Sequence, residues 1–275
     1  IGTIVARGPD YAPVVPDGHV GVAWIYSACG QCGHCKSGQE NLCDAFTACG
    51  RDAHGGYAQY MVAKEDFVHE LPDTLDPVEA APLLCAGSVG YRALASCNLA
   101  NGQALGLTGF GASGHLVLQM AKHLYPDSHI SVHSRNPAEQ AFARELGADW
   151  AGSTENRAPV AAAAIIDTTP AWKPVRSALA QLAPGGRLVI NAIRKEAADQ
   201  DELLKLRYER HLWQEKSIRS VANVTREDVR SCLQLAAQVP LRPEIATYPL
   251  EQAGDALKEI RRGGLRGAKV LLIDS

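Results

Sequence analysis

No stretch of this 275-residue chain stays apolar for the roughly 18–20 residues that a membrane span requires. The longer candidates, such as Ala161–Ile166, fall far short. The chain opens at Ile1 without a Met, and no basic segment followed by an apolar one appears there, so no secretion signal is expected. An excess of one charge is also lacking. Lys and Arg number 27 against 30 Asp and Glu, a formal net charge of -3, and no block of like charge stands out. That balance argues against a nucleic-acid or membrane-surface partner. Internal repeats and low-complexity segments are absent as well.

What is present is an apolar fraction of 46%, enough to fill real cores in one large domain or two ordinary ones. There are eight Cys, at 29, 32, 35, 43, 49, 85, 97 and 232. In a small secreted protein they would suggest disulfides. In a long chain, with four of them tightly and regularly spaced, metal binding in a reducing, cytoplasmic setting is the better reading.

Three zones differ in pattern. Residues 1–85 hold short β-type runs, Thr3–Ala6, Val20–Ile25 and Tyr57–Val62, broken by Gly, Pro and Asp. From about 86 to 245, apolar strands alternate with helical stretches. Strands are expected at Ala104–Leu107, Ile130–His133, Ala164–Asp167, Arg187–Ala192 and Ser217–Val221. Helices are expected at Ser113–Leu124, Ala138–Leu146 and Trp172–Leu182. That alternation predicts an α/β fold with a doubly wound parallel sheet covered on both faces. The last zone predicts a helix, Glu251–Arg262, and a strand, Ala268–Ile273; pattern alone does not assign it to either domain.

The sharpest local signal is Cys29-Gly-Gln-Cys32-Gly-His-Cys35 followed, seven residues on, by Cys43. Zn2+ takes four soft ligands in a tetrahedron, and thiolates two residues apart reach one ion when the backbone turns tightly around it. Gly30 and Gly33 stand where the amides must turn toward sulfur. Short Cys spacings also hold iron–sulfur clusters; zinc is the reading preferred here. Four thiolates leave no open position, so Cys29, Cys32, Cys35 and Cys43 predict a structural zinc. His34 is expected to face solvent.

The second signal is Gly109-Phe-Gly111-Ala112-Ser113-Gly114, a G-x-G-x-x-G turn between a predicted strand and a predicted helix. That context suits a dinucleotide pyrophosphate: the first Gly for the turn, the second for close approach, the third for helix packing. An acid about 20 residues further on would hold the ribose of NAD. The stretch Val132-His133-Ser134-Arg135-Asn136 has none. Arg135 could pair with a 2′-phosphate and Ser134 could hydrogen-bond it, which favours NADP(H) over NAD(H).

These motifs together resemble the zinc-dependent medium-chain alcohol dehydrogenases. The likeness also rests on Gly55-Gly56-Tyr57-Ala58, Ala81-Pro82-Leu83-Leu84-Cys85-Ala86-Gly87, Gly147-Ala148-Asp149 and Pro184-Gly185-Gly186-Arg187, in the family's order. It implies a GroES-like catalytic domain over 1–85 and 246–275 and a Rossmann domain over 86–245. It further implies reversible hydride transfer between a primary or secondary alcohol and NAD(P), with a homodimer or homotetramer as the assembly. By resemblance Cys85 would be a ligand of a second, catalytic zinc; read by itself, a lone Cys after an apolar run suits a core equally well. The family's other two catalytic ligands, a Cys and the His of a Gly-His-Glu segment, precede an Ile-Gly-x-Ile-Val-type strand. This chain opens on Ile1-Gly2-Thr3-Ile4-Val5. A catalytic domain incomplete at its N-terminus is therefore expected. The alternative is a catalytically impaired dinucleotide-binding protein with one structural zinc.

Overall fold

The computed structural model describes residues 1–9, 18–262 and 267–273. The chain forms two compact units, Ile1–Ser88 with Asn223–Ser275, and Val89–Ala222.

The first unit begins with five short strands, β1 (Gly2–Thr3), β2 (His19–Val22), β3 (Ile25–Ser27), β4 (Thr47–Ala48) and β5 (Val68–Glu70). β2 lies between β1 and β5, antiparallel to both, and β3 pairs antiparallel with β4. Helix α1 (Gly33–Lys36) lies between β3 and β4. Helix α2 (Pro77–Ala80) starts on Asp76, whose carboxylate accepts from the amides of Val78 and Glu79, with Pro77 in the first turn where no amide donor is needed. A 3-10 turn, Ala81–Leu84, leads through Cys85 into α3 (Ala86–Ser96), within which the chain passes to the second unit.

Six strands build the second unit's sheet: β6 (Leu105–Thr108), β7 (Ile130–His133), β8 (Trp150–Gly152), β9 (Ala162–Asp167), β10 (Leu182–Ile190) and β11 (Ser217–Ser220). Their order is β11-β10-β9-β6-β7-β8, and every neighbouring pair is parallel. The crossovers run through α4 (Gly114–Leu124), α5 (Pro137–Glu145), α6 (Lys173–Gln181) and the short α7 (Tyr208–His211). Leu105, Leu107, Ile130, Val132, Ile165, Ile166, Leu188 and Val189 are all buried, as expected for strands covered on both faces. The chain moves outward from β6 to β7 and β8, then returns to place β9 on β6's other side. The carboxyl ends of β6 and β9 therefore flank the switch point where such sheets bind ligands.

The chain re-enters the first unit at Asn223 and continues as α8 (Arg226–Gln238), β12 (Ile245–Pro249), α9 (Ala253–Arg262) and β13 (Ala268–Leu272), with β12 and β13 parallel. This differs from the boundary expected at 245/246. α8 buries Val229, Cys232 and Leu233, and its Cys232 thiol lies 3.9 Å from the Leu83 carbonyl, so burial draws this helix into the first unit. α8 starts on a capping box in which Thr225 and Asp228 bond each other's amides.

The predicted strands of the second unit fall on β6, β7, β9, β10 and β11 with ends shifted by a few residues. The three-residue β8 escaped notice because it is too short to show a period. Tyr57–Val62 is not a strand; Tyr57, Tyr60 and Val62 are exposed and no strand pairs with the segment among the described residues. Among the described residues no helix is long and apolar enough to cross a membrane.

Candidate functional site

Two sites emerge, one in each unit. In the first, Cys29, Cys32, Cys35 and Cys43 bring four sulfur atoms within 4.8 Å of one another. The Cys29 and Cys35 sulfurs stand 3.9 Å apart. A tetrahedron of thiolates at a Zn–S distance of about 2.3 Å has edges of about 3.8 Å, so the set fits that ion. The backbone also fits. The Cys32 amide donates to the Cys29 sulfur at 3.3 Å, the Cys35 amide to the Cys32 sulfur at 3.4 Å, and the Cys29 amide to the Cys43 sulfur at 3.5 Å. Gly30, at φ +72°, makes the turn that aims the amides that follow. The amides of Gln31 and Cys32 lower the Cys29 thiol to about 6, whereas burial pushes the Cys35 thiol up to about 12. A cation among the four sulfurs offsets that penalty. His34 is exposed and outside the set, as expected.

Glu40, on the 3-10 turn Glu40–Leu42 just before Cys43, is a residue that the sequence reading missed. It is 2% exposed and accepts from the Arg226 backbone amide at 2.7 Å and from its guanidinium at 3.2 Å. Burial works against its charge, but the amides of Arg226 and of Glu40 itself, with the Arg226 guanidinium, lower its pKa below the ordinary value. The metal lobe is thereby tied to the start of α8.

In the second unit the glycine-rich turn joins β6 to α4. Gly109 has φ +82°, and a Cβ there would stand 2.7 Å from the Thr168 hydroxyl; no other residue suits the position. A Cβ at Gly114 would lie 2.8 Å from the Gly109 carbonyl, so this residue lets the helix close on the turn. Around Gly111, by contrast, a Cβ would meet nothing within 4 Å, leaving open space beside the backbone. Helical winding begins inside the turn, where the His115 amide donates to the Gly111 carbonyl at 3.3 Å. The Ser113 hydroxyl accepts from Asn191 at 3.0 Å. An open approach to a helix N-terminus is the arrangement that receives a pyrophosphate.

The end of β7 sits beside this turn: the Gly109 amide donates to the His133 carbonyl at 2.8 Å. Ser134 follows, buried, and Arg135 is exposed. A second missed pair joins the end of β9 to the loop after β10. Asp167, fully buried and in register with Thr108, accepts from Lys195 Nζ and from the Thr169 hydroxyl at 2.8 Å. Lys195 also donates to the carbonyls of Thr169 and Ala171 at 2.7 and 3.0 Å. All three ammonium protons are thus used to pin the loops beside the switch point.

Comparison with known proteins separates an early segment of the chain from a later one that extends from the second unit through α8. Residues 1–73 match the alcohol dehydrogenase GroES-like domain, and residues 112–238 match the zinc-binding dehydrogenase family. A Mycobacterium tuberculosis protein named "Probable alcohol dehydrogenase AdhA" is 41% identical over 254 residues, covering 92% of this chain and 71% of the relative. The chain belongs to the zinc-dependent medium-chain alcohol dehydrogenase family, a family of oxidoreductase enzymes. An alcohol dehydrogenase of Geobacillus stearothermophilus is 31% identical, with 98% of this chain and 80% of the relative covered. Among solved structures, acetophenone reductase from Geotrichum candidum in complex with NAD is 25% identical with a TM-score of 0.82, covering 98% of this chain and 78% of that one. The chain has the family's fold class, GroES-like and Rossmann-type, the latter with a six-stranded parallel sheet.

Cys85, which the resemblance implies as a metal ligand, lies in the first unit. It follows the Ala81–Leu84 turn and is exposed. Among the described residues, no group of three His, Cys, Asp or Glu side chains placed to share a metal includes Cys85. The described residues therefore do not by themselves define a catalytic zinc centre.

Proposed function

We propose that this chain carries the structural-zinc and dinucleotide-binding parts of a zinc-dependent alcohol dehydrogenase. The reaction is reversible hydride transfer between a primary or secondary alcohol, or its aldehyde or ketone, and NAD(P). The observation that carries the proposal is the Gly109–Gly114 turn, open at Gly111, at the carboxyl edge of a parallel sheet. A bound nicotinamide cofactor supplies the hydride acceptor. Gly109, Gly111, Ala112, Ser113 and Gly114 cradle its pyrophosphate, and the start of α4 lends it partial positive charge. Ser134 and Arg135 face its adenosine ribose. Arg135, exposed where Val132–Asn136 offers no acid, favours NADP(H) over NAD(H).

Cys29, Cys32, Cys35 and Cys43 hold a structural zinc that orders their lobe and takes no part in the chemistry. Cys85 would be one ligand of a catalytic zinc, which would supply polarisation of the alcohol oxygen where further ligands complete its site. The eight cysteines, all free, suit a reducing cytoplasmic setting, and a homodimer or homotetramer is the assembly we favour. A second reading is a catalytically impaired dinucleotide-binding protein with one zinc, for which the four-thiolate set and the Gly109–Gly114 turn suffice.

The test is a panel of primary and secondary alcohols offered with NADP+ or NAD+ to the complete, zinc-loaded protein. Production of reduced nicotinamide is the expected result. Failure with every alcohol, by folded protein that binds dinucleotide, overturns the first reading. A zinc content of about one per chain in that inactive protein then supports the second.

A further inference from the structure

The hydroxyl of Ser134, at the carboxyl end of β7, is already engaged. It donates to the Glu139 carboxylate at 2.5 Å and accepts from the Asn136 amide at 3.1 Å. Its backbone is equally fixed, the amide by the Gly152 carbonyl at 2.9 Å and the carbonyl by the Gln140 side chain at 2.8 Å. A hydroxyl has one proton to give, and Ser134 gives it to Glu139, so a 2′-phosphate arriving here finds a committed donor and a carboxylate behind it. Glu139 lies in the first turn of α5, five residues beyond Ser134. It is outside the stretch where a ribose-binding acid is ordinarily sought, yet the fold returns its carboxylate to that spot. The spot itself is fixed by the bond between the Gly109 amide and the carbonyl of His133, one residue before Ser134.

We propose that Glu139 sets this chain's discrimination between NAD(H) and NADP(H). This rests on the dinucleotide reading given above. The carboxylate can accept from a free ribose 2′-hydroxyl and repels a 2′-phosphate, whereas the neighbouring Arg135 attracts that phosphate. The two side chains oppose each other, so NADP(H) is preferred by only a narrow margin, on the order of tenfold or less.

The experiment measures the dissociation constants of NADP+ and NAD+ for the zinc-loaded protein and for two variants, by titration calorimetry, with folding checked by circular dichroism. Glu139→Gln is expected to shift the NADP+/NAD+ affinity ratio toward NADP+ by about fivefold or more, because the repulsion disappears. Glu139→Lys, a charge reversal at a half-buried position, is expected to carry the shift further. If the parent binds dinucleotide and both folded variants keep its ratio within about twofold, the role of Glu139 is overturned. If the parent binds neither dinucleotide, the reading beneath it is overturned instead.

Discussion

Glu40 and Arg226 meet although 186 positions separate them: a buried carboxylate from the metal lobe accepts both the first backbone amide of α8 and the same residue's guanidinium. The contact joins the early and late segments of one unit, and it does two jobs. It satisfies an amide at a helix start, where no intrahelical partner exists, and it neutralises a carboxylate that burial would otherwise penalise.

Glu40→Gln is expected to destabilise the first unit by about 1–3 kcal/mol, a range held down because the Arg226 side chain is about a third exposed. Chemical denaturation checks it. The pH dependence has a definite sign. The folded-state pKa of Glu40 is lowered, so its contribution is present above the unfolded carboxylate value and is lost as pH falls through the folded one. The glutamine variant should lose part of the parent's acid sensitivity.

Cys43→Ser should remove the structural metal. Three thiolates and a hydroxyl make a poorer site for zinc, and Cys43 is buried, so water does not readily replace it. Elemental analysis of purified protein should show bound zinc falling by about one per chain, and limited proteolysis should cut between residues 29 and 43 far faster than in the parent. Unchanged zinc would disprove the assignment of the four ligands.

The Asp167–Lys195 pair should behave as a buried ion pair whose halves cannot be removed singly. Lys195→Met leaves a fully buried carboxylate without its cation and is expected to cost about 3–5 kcal/mol. Asp167→Asn should cost less, because Thr169 can still donate to the amide oxygen. A double-mutant cycle in urea should return a coupling energy well above the error of the measurement.

His69 on β5 is 5% exposed, and burial first, then the positive charges of Arg230 and Arg226, lower its pKa from 6.5 to about 4. It folds neutral. Below about pH 6.5 the unfolded chain takes a proton that the folded one refuses, so stability should fall as pH drops from 6.5 toward 4. His69→Gln should flatten that part of the stability curve, and an unchanged slope would rule His69 out as its source.

Much of this was legible in the sequence, and the reason differs between elements. The Cys29–Cys43 set and the Gly109–Gly114 turn are local: their spacing fixes a backbone geometry over a few residues, so spacing alone reveals them. The strands β6, β7 and β9 are apolar runs covered on both faces, and composition finds such strands. Glu40 and Lys195 are the opposite case. Each is a charged residue in a loop or turn whose partner lies far along the chain, and nothing around it in sequence distinguishes it from a solvated charge. Glu139 is intermediate. Its spacing from Asn136 reads as a helix start, yet its side chain turns to Ser134, a choice made by the helix docking against the sheet. α8 also lay outside the sequence reading, and its burial against Leu83 moved the unit boundary.

The central claim is hydride transfer, and isotope transfer tests it most directly. Complete zinc-loaded protein is incubated with an alcohol deuterated at the carbinol carbon and with NADP+, and the reduced nicotinamide is analysed by mass spectrometry. The account predicts deuterium in the dihydronicotinamide ring. Folded protein that holds zinc and binds NADP+, yet leaves all of the label in the alcohol across primary and secondary substrates and with NAD+ as well, would contradict it.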